Sequence, residues 1–171
     1  MGWLNMAPKN NVTRLLDARQ VAYSAFELPA EKLGAEEGAR LLGVPLDQMY
    51  KTIVVTREGK GKPILALVSG EAEVDLKALA KAVGEKKLSL PSESQAEHLT
   101  GLQAGGISPL ALLNRGFQVV LDAAARQQTE IHISGGQRGL NIRLPVEALI
   151  RLTNAMVAEI QRPVWSGVEL A

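Results

Sequence analysis

The fold is organised around the run from Gly101 to Arg143, which holds two glycine-rich turns, Gly105-Gly106-Ile107-Ser108-Pro109 and Ser134-Gly135-Gly136-Gln137-Arg138-Gly139. Adjacent glycines let the backbone take a positive φ or lie close against a ligand, because no Cβ intervenes. Each turn is therefore a candidate wall of a binding cavity. On local sequence alone, the simpler interpretation of the second turn is a β-hairpin, because its flanking segments 129–133 and 140–144 alternate apolar and polar residues.

The size and charge of the chain limit its function. It has 171 residues, which is enough for one domain with a hydrophobic core and short for two, so we expect a single domain. The formal net charge is +1, with 22% charged residues. This balance is unlike that of proteins that hold nucleic acid by bulk electrostatics, which usually have a strong basic excess. Any contact with RNA must therefore be local or assisted by a partner.

The residue types present exclude several kinds of site. Cysteine is absent, which excludes disulfides, thiolate metal sites and a cysteine nucleophile. The chain has only two histidines, His98 and His132, which makes a zinc site built from histidines or a serine catalytic triad improbable. The first eight residues lack a basic region followed by an apolar run, and no stretch is long enough to span a bilayer. We expect a cytoplasmic protein with no metal, no cofactor and no membrane partner.

Capping residues, glycine stops and hydrophobic periodicity divide the chain into short elements. Because the linkers are short and many strands pair as hairpins, we expect an α/β (α+β) fold, a mixed β-barrel ringed by helices, and not a doubly wound parallel sheet. Alternation with Ile131 and Ile133 predicts that His132 faces solvent. The predicted helices are 12–19 after an Asn10 or Asn11 cap, 35–42, 76–83, 93–100 after a Ser92 capping box, and 145–153. The predicted strands are 21–28, 52–56, 64–68, 86–90, 117–121, 129–133 and 140–144.

The order and spacing of the motifs match a known family. The motifs are Lys51-Thr52-Ile53-Val54-Val55, Leu99-Thr100-Gly101, Gly105-Gly106-Ile107-Ser108-Pro109 and Ile133-Ser134-Gly135-Gly136-Gln137-Arg138-Gly139-Leu140. Together they resemble the YbaK family of aminoacyl-tRNA deacylases, relatives of the editing domain inserted in bacterial prolyl-tRNA synthetases. Several separated motifs at consistent spacing are far more specific than one. The resemblance covers roughly residues 11–155, leaving 156–171 as a C-terminal extension that is either loosely ordered or packs through Ile160 and Trp165.

The resemblance also implies an activity. The family fold is a mixed β-barrel ringed by helices, and its members hydrolyse wrong amino acids from tRNA, typically cysteine from proline tRNA. In cysteine-specific members the thiol of the bound cysteine attacks its own ester carbonyl, which is compatible with a protein that lacks a nucleophile of its own. The implied partners are the acceptor end of a mischarged tRNA and a prolyl-tRNA synthetase that delivers it. Neither a metal nor a cofactor is implied.

Lys51 matches the lysine that the family requires for activity. It lies where a strand begins, so its ammonium is expected at the rim of the barrel mouth, where it would hold the substrate's carbonyl or terminal phosphate. Thr52 would offer a hydroxyl or a backbone contact to the same group. The plain alternatives are a solvated lysine at a strand end and an ordinary β-forming threonine.

The two glycine turns match the walls of the family's pocket. Gly105, Gly106 and Ile107 belong to the loop whose backbone N–H groups would hold the ester oxygen, in the manner of an oxyanion hole. Ser134 and Gly135 match the opposite wall, where Ser134 would hydrogen-bond the terminal adenosine or the amino group and would not act as a nucleophile. Arg138 is either a phosphate contact or a surface arginine of the hairpin.

The chain departs from cysteine-specific members at two places. They usually carry an aromatic residue where this chain has Leu28, and a Gly-Gln-Lys-Lys-Arg run where it has Leu110-Ala111-Leu112-Leu113-Asn114-Arg115. Fewer cations mean fewer phosphate contacts. Either the tRNA is therefore delivered by a partner such as the synthetase, or the substrate differs. Because selection by side-chain size is weak, Leu28 makes a deacylase for alanine or serine on tRNA an alternative. So is a non-catalytic module that binds an aminoacyl or nucleotide ligand and docks on a synthetase through residues 110–113.

Overall fold

A computed structural model describes residues 8–164 of the chain. Within this range the protein has five short α-helices and ten β-strands, with single 3₁₀ turns at Leu46–Gln48, Pro109–Leu112 and Ala123–Gln127. The helices are α1 (Asn11–Ala18), α2 (Ala35–Leu42), α3 (Leu76–Val83), α4 (Glu93–Thr100) and α5 (Val146–Thr153). The strands are β1 (Ser24–Glu27), β2 (Tyr50–Arg57), β3 (Ile64–Ser69), β4 (Ala72–Val74), β5 (Leu88–Ser89), β6 (Gln118–Asp122), β7 (Glu130–Ser134), β8 (Leu140–Pro145), β9 (Met156–Ala158) and β10 (Gln161–Pro163).

The helices begin and end at the residues that local chemistry indicates. Asn10 caps α1 in a capping box with Thr13, and Ser92 caps α4 in a capping box with Gln95. These side chains satisfy backbone N–H groups that have no partner inside the helix. Pro145 is the N-cap of α5 and not its first helical residue as predicted, because the helix begins one residue later, at Val146. The helices α2, α3, α4 and α5 are each followed by a residue in the left-handed conformation: Gly43, Gly84, Gly101 and Asn154.

The largest sheet is five-stranded and mixed, in the order β5-β2-β3-β6-β9. β2 and β3 form the predicted antiparallel hairpin, with Lys51 opposite Val68 and Val55 opposite Ile64. β6 joins β3 in parallel, and β9 joins β6 in parallel. The short strand β5 lies at the edge beside β2, where the sequence predicted an edge strand.

The second sheet is three-stranded and antiparallel, in the order β1-β8-β7. β1 is shorter than the predicted strand 21–28. β7 and β8 form the predicted hairpin around the second glycine turn, with Ser134 opposite Asn141. A parallel bridge between Met49 and His132 connects the start of β2 to β7, and β4 pairs with β10 in a separate ladder. The mixed α/β class in a single domain is confirmed, and the strands of residues 8–164 form three sheets.

Two apolar clusters pack on opposite faces of the large sheet. Every residue of β3 is buried. Because successive side chains of a strand point to opposite faces, Leu65 and Leu67 belong to the cluster between the two larger sheets, whereas Ile64, Ala66 and Val68 belong to the cluster beneath α3. The continuous apolar run of β3 is thus typical of a strand covered on both faces.

The segment after α5 packs onto this core as far as residue 164. Ile160 is fully buried in the cluster beneath α3. The buried carboxylate of Asp122 accepts the backbone N–H groups of Ile160 at 2.8 Å and Gln161 at 3.0 Å, and thereby holds β10 in place. Packing through Ile160 is therefore observed, whereas Trp165 lies outside the described residues. None of the helices between residues 8 and 164 has the length and apolar character needed to cross a bilayer.

Candidate functional site

A cavity of about 370 Å³ lies at the start of β2, between the two glycine-rich turns. Its floor comes from β2, and one side comes from the segment that joins β1 to α2. The other walls come from the turn before Ser108 and from the hairpin of β7 and β8. The lining residues are Leu28, Glu31, Lys32, Leu33, Gly34, Ala35, Gly38, Met49, Tyr50, Lys51, Thr52, Ile53, Ala104, Gly105, Ile107, Ser134, Gly139, Leu140 and Asn141.

The two glycine turns touch each other beside this cavity. A Cβ added to Gly106 would lie 2.9 Å from backbone atoms of both Gln137 and Arg138, so only glycine permits this approach. Arg138 donates a hydrogen bond of 2.7 Å from its Nε to the backbone oxygen of Ala104. Glu97 of α4 accepts the Ala104 N–H at 2.8 Å. The guanidinium of Arg138 therefore joins the two walls to each other.

Lys51 lies at the boundary of two cavities. It lines the cavity between the glycine turns and also a second cavity of about 520 Å³ beside α3. Its side chain is half-buried, and among residues 8–164 it forms no ion pair. Desolvation by burial lowers the pKa of Lys51, while the charges of Glu73 and Glu36 oppose this shift. Among the described residues the ammonium thus has no carboxylate in contact, and it lies where the two cavities meet.

Thr52 follows Lys51 in the cavity floor. Its Oγ1 is buried and has no hydrogen-bond partner among the residues that the structure describes. A buried hydroxyl without a partner carries a desolvation cost of roughly 1–3 kcal/mol. A ligand oxygen or nitrogen in the cavity would offset that cost.

Ser134 lines the opposite wall at the end of β7. Its Oγ accepts the backbone N–H of Gly136 at 3.2 Å, so the hydroxyl hydrogen is left to donate to a ligand. Gly135 does not line the cavity. A Cβ there would lie 2.4 Å from Cγ of Leu140, and the Gly135 oxygen accepts from Asn10 Nδ2 at 2.8 Å. Gly135 shapes the turn that presents Ser134.

The structure thus brings together most of the residues that the sequence indicated. Five of the predicted site residues line the cavity: Lys51, Thr52, Gly105, Ile107 and Ser134. Gly106 and Gly135 lie behind its walls, where packing against neighbouring backbone and side chains requires glycine. We therefore assign these two glycines a supporting position.

The segment between β1 and α2 covers one side of the cavity. Lys32 in this segment forms an ion pair with Glu93 in the first turn of α4. Gly105 lies directly beneath it, because a Cβ there would be 3.2 Å from the Lys32 Cα. Leu28 donates its N–H to the Gly139 oxygen at 2.9 Å, which ties the other end of the segment to the second glycine turn.

The expectation that His132 faces solvent is wrong. The side chain is 1% exposed, and its Nδ1 lies 2.7 Å from Oδ1 of Asn141 on the neighbouring strand. Burial lowers the pKa of His132, and the nearby charge of Arg143 acts in the same direction, whereas the hydrogen bond with Asn141 and the charge of Glu130 oppose it. The ring of Phe26, on β1 of the same sheet, packs beside the imidazole, with its centroid 5.6 Å from that of His132. Alternation along β7 alone did not indicate that this side chain is buried.

Asn141 is a lining residue that sequence reasoning missed. It is 6% exposed and lies opposite Ser134 in the hairpin register. The predicted hairpin could have revealed Asn141, because its register around the second glycine turn places the side chains of Ser134 and Asn141 on the same face. Besides the Lys51 ammonium, the Thr52 and Ser134 hydroxyls and the Asn141 carboxamide, the lining includes the polar residues Glu31, Lys32 and Tyr50, and this set is suited to holding a polar ligand. Among residues 8–164 no group of histidines and carboxylates is arranged to hold a metal ion.

Comparison with known proteins identifies relatives over most of the chain. The family model described as the aminoacyl-tRNA editing domain matches residues 29–152. A protein of Enterococcus faecalis with the provisional name Cys-tRNA(Pro)/Cys-tRNA(Cys) deacylase EbsC is 36% identical over 154 residues, which are 89% of this chain and 93% of that protein.

Two further relatives connect the chain with prolyl-tRNA synthetases. The proline–tRNA ligase of Trichlorobacter lovleyi is 28% identical over 167 residues, which are 90% of this chain and 28% of the ligase. A crystal structure described as a trans-editing enzyme for prolyl-tRNA synthetase superposes with a TM-score of 0.75 at 27% identity, over 91% of this chain and 99% of that one. This chain therefore corresponds to about a quarter of the ligase and to nearly the whole of the free-standing protein.

Proposed function

This chain belongs to the aminoacyl-tRNA editing domain family, and we propose that it is a deacylase that hydrolyses the ester bond of a mischarged tRNA, with Cys-tRNA(Pro) as the first substrate. The observation that carries this proposal is the convergence of Lys51, Thr52, the first glycine turn and Ser134 on one cavity. The names of the Enterococcus faecalis relative and of the trans-editing structure support the choice of substrate.

The geometry suits an ester that is already activated by its bond to the terminal ribose. Such a substrate needs positioning and stabilisation of the negative charge that develops on its carbonyl oxygen. The Lys51 ammonium and the backbone of Gly105 lie on two sides of the cavity and would share this task. The attacking group is then a water molecule or, for a cysteinyl ester, the thiol of the substrate itself.

The apolar part of the lining would contact the amino-acid side chain. Leu28, Met49, Ile53 and Leu140 contribute this surface. Selection by size separates similar side chains by only about 1–3 kcal/mol. Cysteine, alanine and serine are therefore the side chains to compare, and Leu28 is the contact that differs from the aromatic residue of cysteine-specific members.

The acceptor end of the tRNA is the proposed ligand, and a prolyl-tRNA synthetase is the proposed source of it. The net charge of +1 provides little long-range attraction for RNA. Delivery by a synthetase would remove the need for a large basic surface. The relationship of this chain to a domain within proline–tRNA ligases supports such a partner.

The test is a deacylation panel with purified protein. Cys-tRNA(Pro), Ala-tRNA(Pro) and a serine-charged tRNA are incubated separately, and the aminoacyl ester that remains is measured over time. We expect Cys-tRNA(Pro) to be cleaved fastest, and Lys51→Ala to lower kcat/KM by roughly 100-fold, the typical loss of one charge-stabilising donor. Lys60→Ala, in the exposed turn between β2 and β3, is the matched control and should retain full activity.

The same panel separates an enzyme from a binding module. If none of these esters is cleaved, the deacylase proposal fails. If the protein binds an aminoacyl-tRNA without cleaving it, and Lys51→Arg binds as well as the wild type, the chain is a non-catalytic module. A deacylase should lose activity in Lys51→Arg, because a planar guanidinium does not replace a compact ammonium at close range.

A further inference from the structure

A buried pair of side chains lies behind the wall that carries Ser134. β7 and β8 place His132 and Ser134 on one face of their sheet, together with Asn141 and Arg143 of the neighbouring strand. His132 does not line the cavity, whereas Asn141 does. The contact between His132 and Asn141, 2.7 Å from Nδ1 to Oδ1, connects an enclosed imidazole with a side chain that lines the cavity.

The surroundings of the imidazole determine where its proton lies. His132 Nε2 is buried and has no partner among the described residues. With the proton on Nε2, a buried N–H would lack an acceptor, and the Asn141 oxygen would face the lone pair of Nδ1. With the proton on Nδ1, the N–H is satisfied by Oδ1 and only a lone pair is left unpaired. Phe26 beside the ring and the cation of Arg143 favour the neutral imidazole.

This arrangement determines which end of the Asn141 carboxamide faces the ligand. An asparagine side chain offers one oxygen acceptor and one nitrogen with two hydrogens. Because Oδ1 is occupied by the imidazole N–H, Nδ2 is the end left to donate to the cavity that Asn141 lines. Without His132, the carboxamide could rotate and present either end.

We propose that His132 is a positioning residue for this site: its Nδ1–H holds the Asn141 oxygen, so that Asn141 donates its Nδ2 hydrogens to an oxygen of the bound aminoacyl end. The ligand group opposite Asn141 is therefore an acceptor, the ester carbonyl or a ribose oxygen, and not the α-ammonium group. This inference rests on the proposed deacylase function for the identity of the ligand. The pairing of His132 with Asn141 is independent of that function.

The pairing is tested by nitrogen NMR of the full-length protein labelled at histidine. The chain has two histidines, so His98→Gln leaves a spectrum of His132 alone. At pH 7 we expect a neutral imidazole protonated at Nδ1, the tautomer that an unconstrained histidine disfavours. In Asn141→Ala the proton should move to Nε2. A wild-type ring that is protonated at Nε2, or at both nitrogens, overturns the proposal.

The functional consequence is tested by a double-mutant cycle on deacylation. His132→Phe keeps a ring of similar shape beside Phe26 and removes the hydrogen bond, and we expect roughly a tenfold loss in kcat/KM, typical of a neutral hydrogen bond. If His132 acts through Asn141, the double variant is no worse than Asn141→Ala alone. Additive losses indicate a merely structural role and overturn the proposal.

Two controls separate the possible failures. Glu27→Ala removes an exposed polar side chain of β1 in the same sheet and should leave both the tautomer and the rate unchanged. Urea unfolding of every variant shows whether a lost rate reflects a lost fold. If the wild type cleaves no mischarged tRNA, the proposed function fails, and the tautomer of His132 still decides whether the pair exists.

The acceptor opposite Asn141 is identified with competing ligands. Uncharged tRNA retains the ribose oxygens and lacks the ester carbonyl. If Asn141→Ala weakens the binding of uncharged tRNA, measured as inhibition, as much as it weakens the binding of the charged substrate, the acceptor is a ribose oxygen. A loss confined to the charged tRNA indicates the ester carbonyl. Tighter binding of the charged tRNA to Asn141→Asp would indicate the α-ammonium group and overturn the assignment.

Discussion

Arg138 donates a hydrogen bond of 2.7 Å from its Nε to the backbone oxygen of Ala104, and so connects two turns that are in contact although far apart in sequence. The N–H of the same residue, Ala104, is held by Glu97 at 2.8 Å. The peptide groups on either side of Ala104 are therefore fixed from two directions. This clamp holds the turns that bring Gly105 and Ser134 into the lining of one cavity, and the candidate site depends on it.

Gly106→Ala should disturb the clamp. The new Cβ would lie 2.9 Å from the backbone of Gln137 and Arg138, which has no room to move without separating the turns. We expect the free energy of unfolding to fall by about 1–3 kcal/mol, as in other overpacked interiors, and deacylation to fall with it. Urea unfolding and ester hydrolysis measure the two effects.

The matched control for that variant is Gly34→Ala. A Cβ added to Gly34 would have no atom within 4 Å, and the φ of this residue is −78°, which alanine adopts without strain. Gly34 is the N-cap of α2, where alanine is less favourable than glycine, so the free energy of unfolding of Gly34→Ala should fall by no more than about 1 kcal/mol. Equal stability in Gly106→Ala and Gly34→Ala would contradict the close approach of the two turns.

Thr52→Val should separate stability from activity. The substitution removes a buried hydroxyl that has no partner among the described residues. We expect the free energy of unfolding to stay constant or to rise by up to about 1 kcal/mol, because an unpaired polar group is removed. The deacylation rate should fall if the hydroxyl contacts the substrate.

Thr56→Val on the same strand is the comparison for Thr52→Val. Its Oγ1 contacts the Ser89 backbone oxygen at 3.1 Å, so its removal should cost about 0.5–1 kcal/mol and leave the rate unchanged. Chemical denaturation and single-turnover hydrolysis give both quantities. A Thr52→Val protein that is less stable and fully active would show that the hydroxyl has a structural role only.

The burial of His132 should make the stability depend on pH. Burial lowers the pKa of the folded imidazole below its ordinary value of 6.5, and the groups that face it, Asn141, Arg143 and Glu130, do not reverse the shift. Below about pH 6.5 the unfolded chain then binds a proton that the folded chain resists. The free energy of unfolding should therefore be highest, with respect to His132, above that pH. It should fall as the pH decreases below it.

Urea unfolding between pH 5 and pH 8 measures this dependence in the wild type and in His132→Phe. The variant should be less sensitive to acid over this range, because it has no imidazole to protonate. Identical pH profiles of the two proteins would show that His132 is not enclosed as described.

Asp122→Ala should release the segment after α5. The carboxylate accepts N–H groups from Ala124, Ile160 and Gln161, and it is 3% exposed. Hydrogen bonds to a charged group contribute about 1.5–3 kcal/mol each, and they are not additive. We expect a loss of about 3 kcal/mol in the free energy of unfolding and faster hydrogen exchange at Ile160 and Gln161.

Glu159→Ala removes a neighbouring carboxylate that is exposed, and it serves as the control for Asp122→Ala. Its exchange rates and stability should match those of the wild type. Unchanged protection at Ile160 in Asp122→Ala would mean that strand pairing with β4 alone holds this segment.

The caps and the hairpins were predictable because they depend on neighbours within a few residues. Asn10, Ser92 and Asp75 accept N–H groups three residues further along, and Gly43, Gly84 and Gly101 take the left-handed conformation that ends a helix. The hairpin of β2 and β3 has the same local origin. Such contacts can be inferred without knowledge of the rest of the fold.

The enclosed environment of His132 and the lining position of Asn141 were not predictable in this way. Alternation within β7 indicates which face His132 occupies, but not whether Phe26 of β1 packs beside it. The position of Arg138 likewise depends on where the first glycine turn lies. These contacts join residues that the chain brings together only when its sheets assemble.

The sequence by itself determined the bounds of the five helices to within one residue, the hairpins β2–β3 and β7–β8, the resemblance carried by a lysine and two glycine turns, and the absence of any cysteine. It did not indicate β4, β9 or β10, whose pairing partners are distant in the chain. Only the tertiary structure decided that Gly106 and Gly135 support the walls while Gly105 and Ser134 face the cavity, and that His132 lies behind Asn141. The physical reason is the distance along the chain over which each kind of contact forms. Caps and turns are satisfied within one turn of backbone, whereas burial and side-chain pairing depend on which distant surfaces pack together.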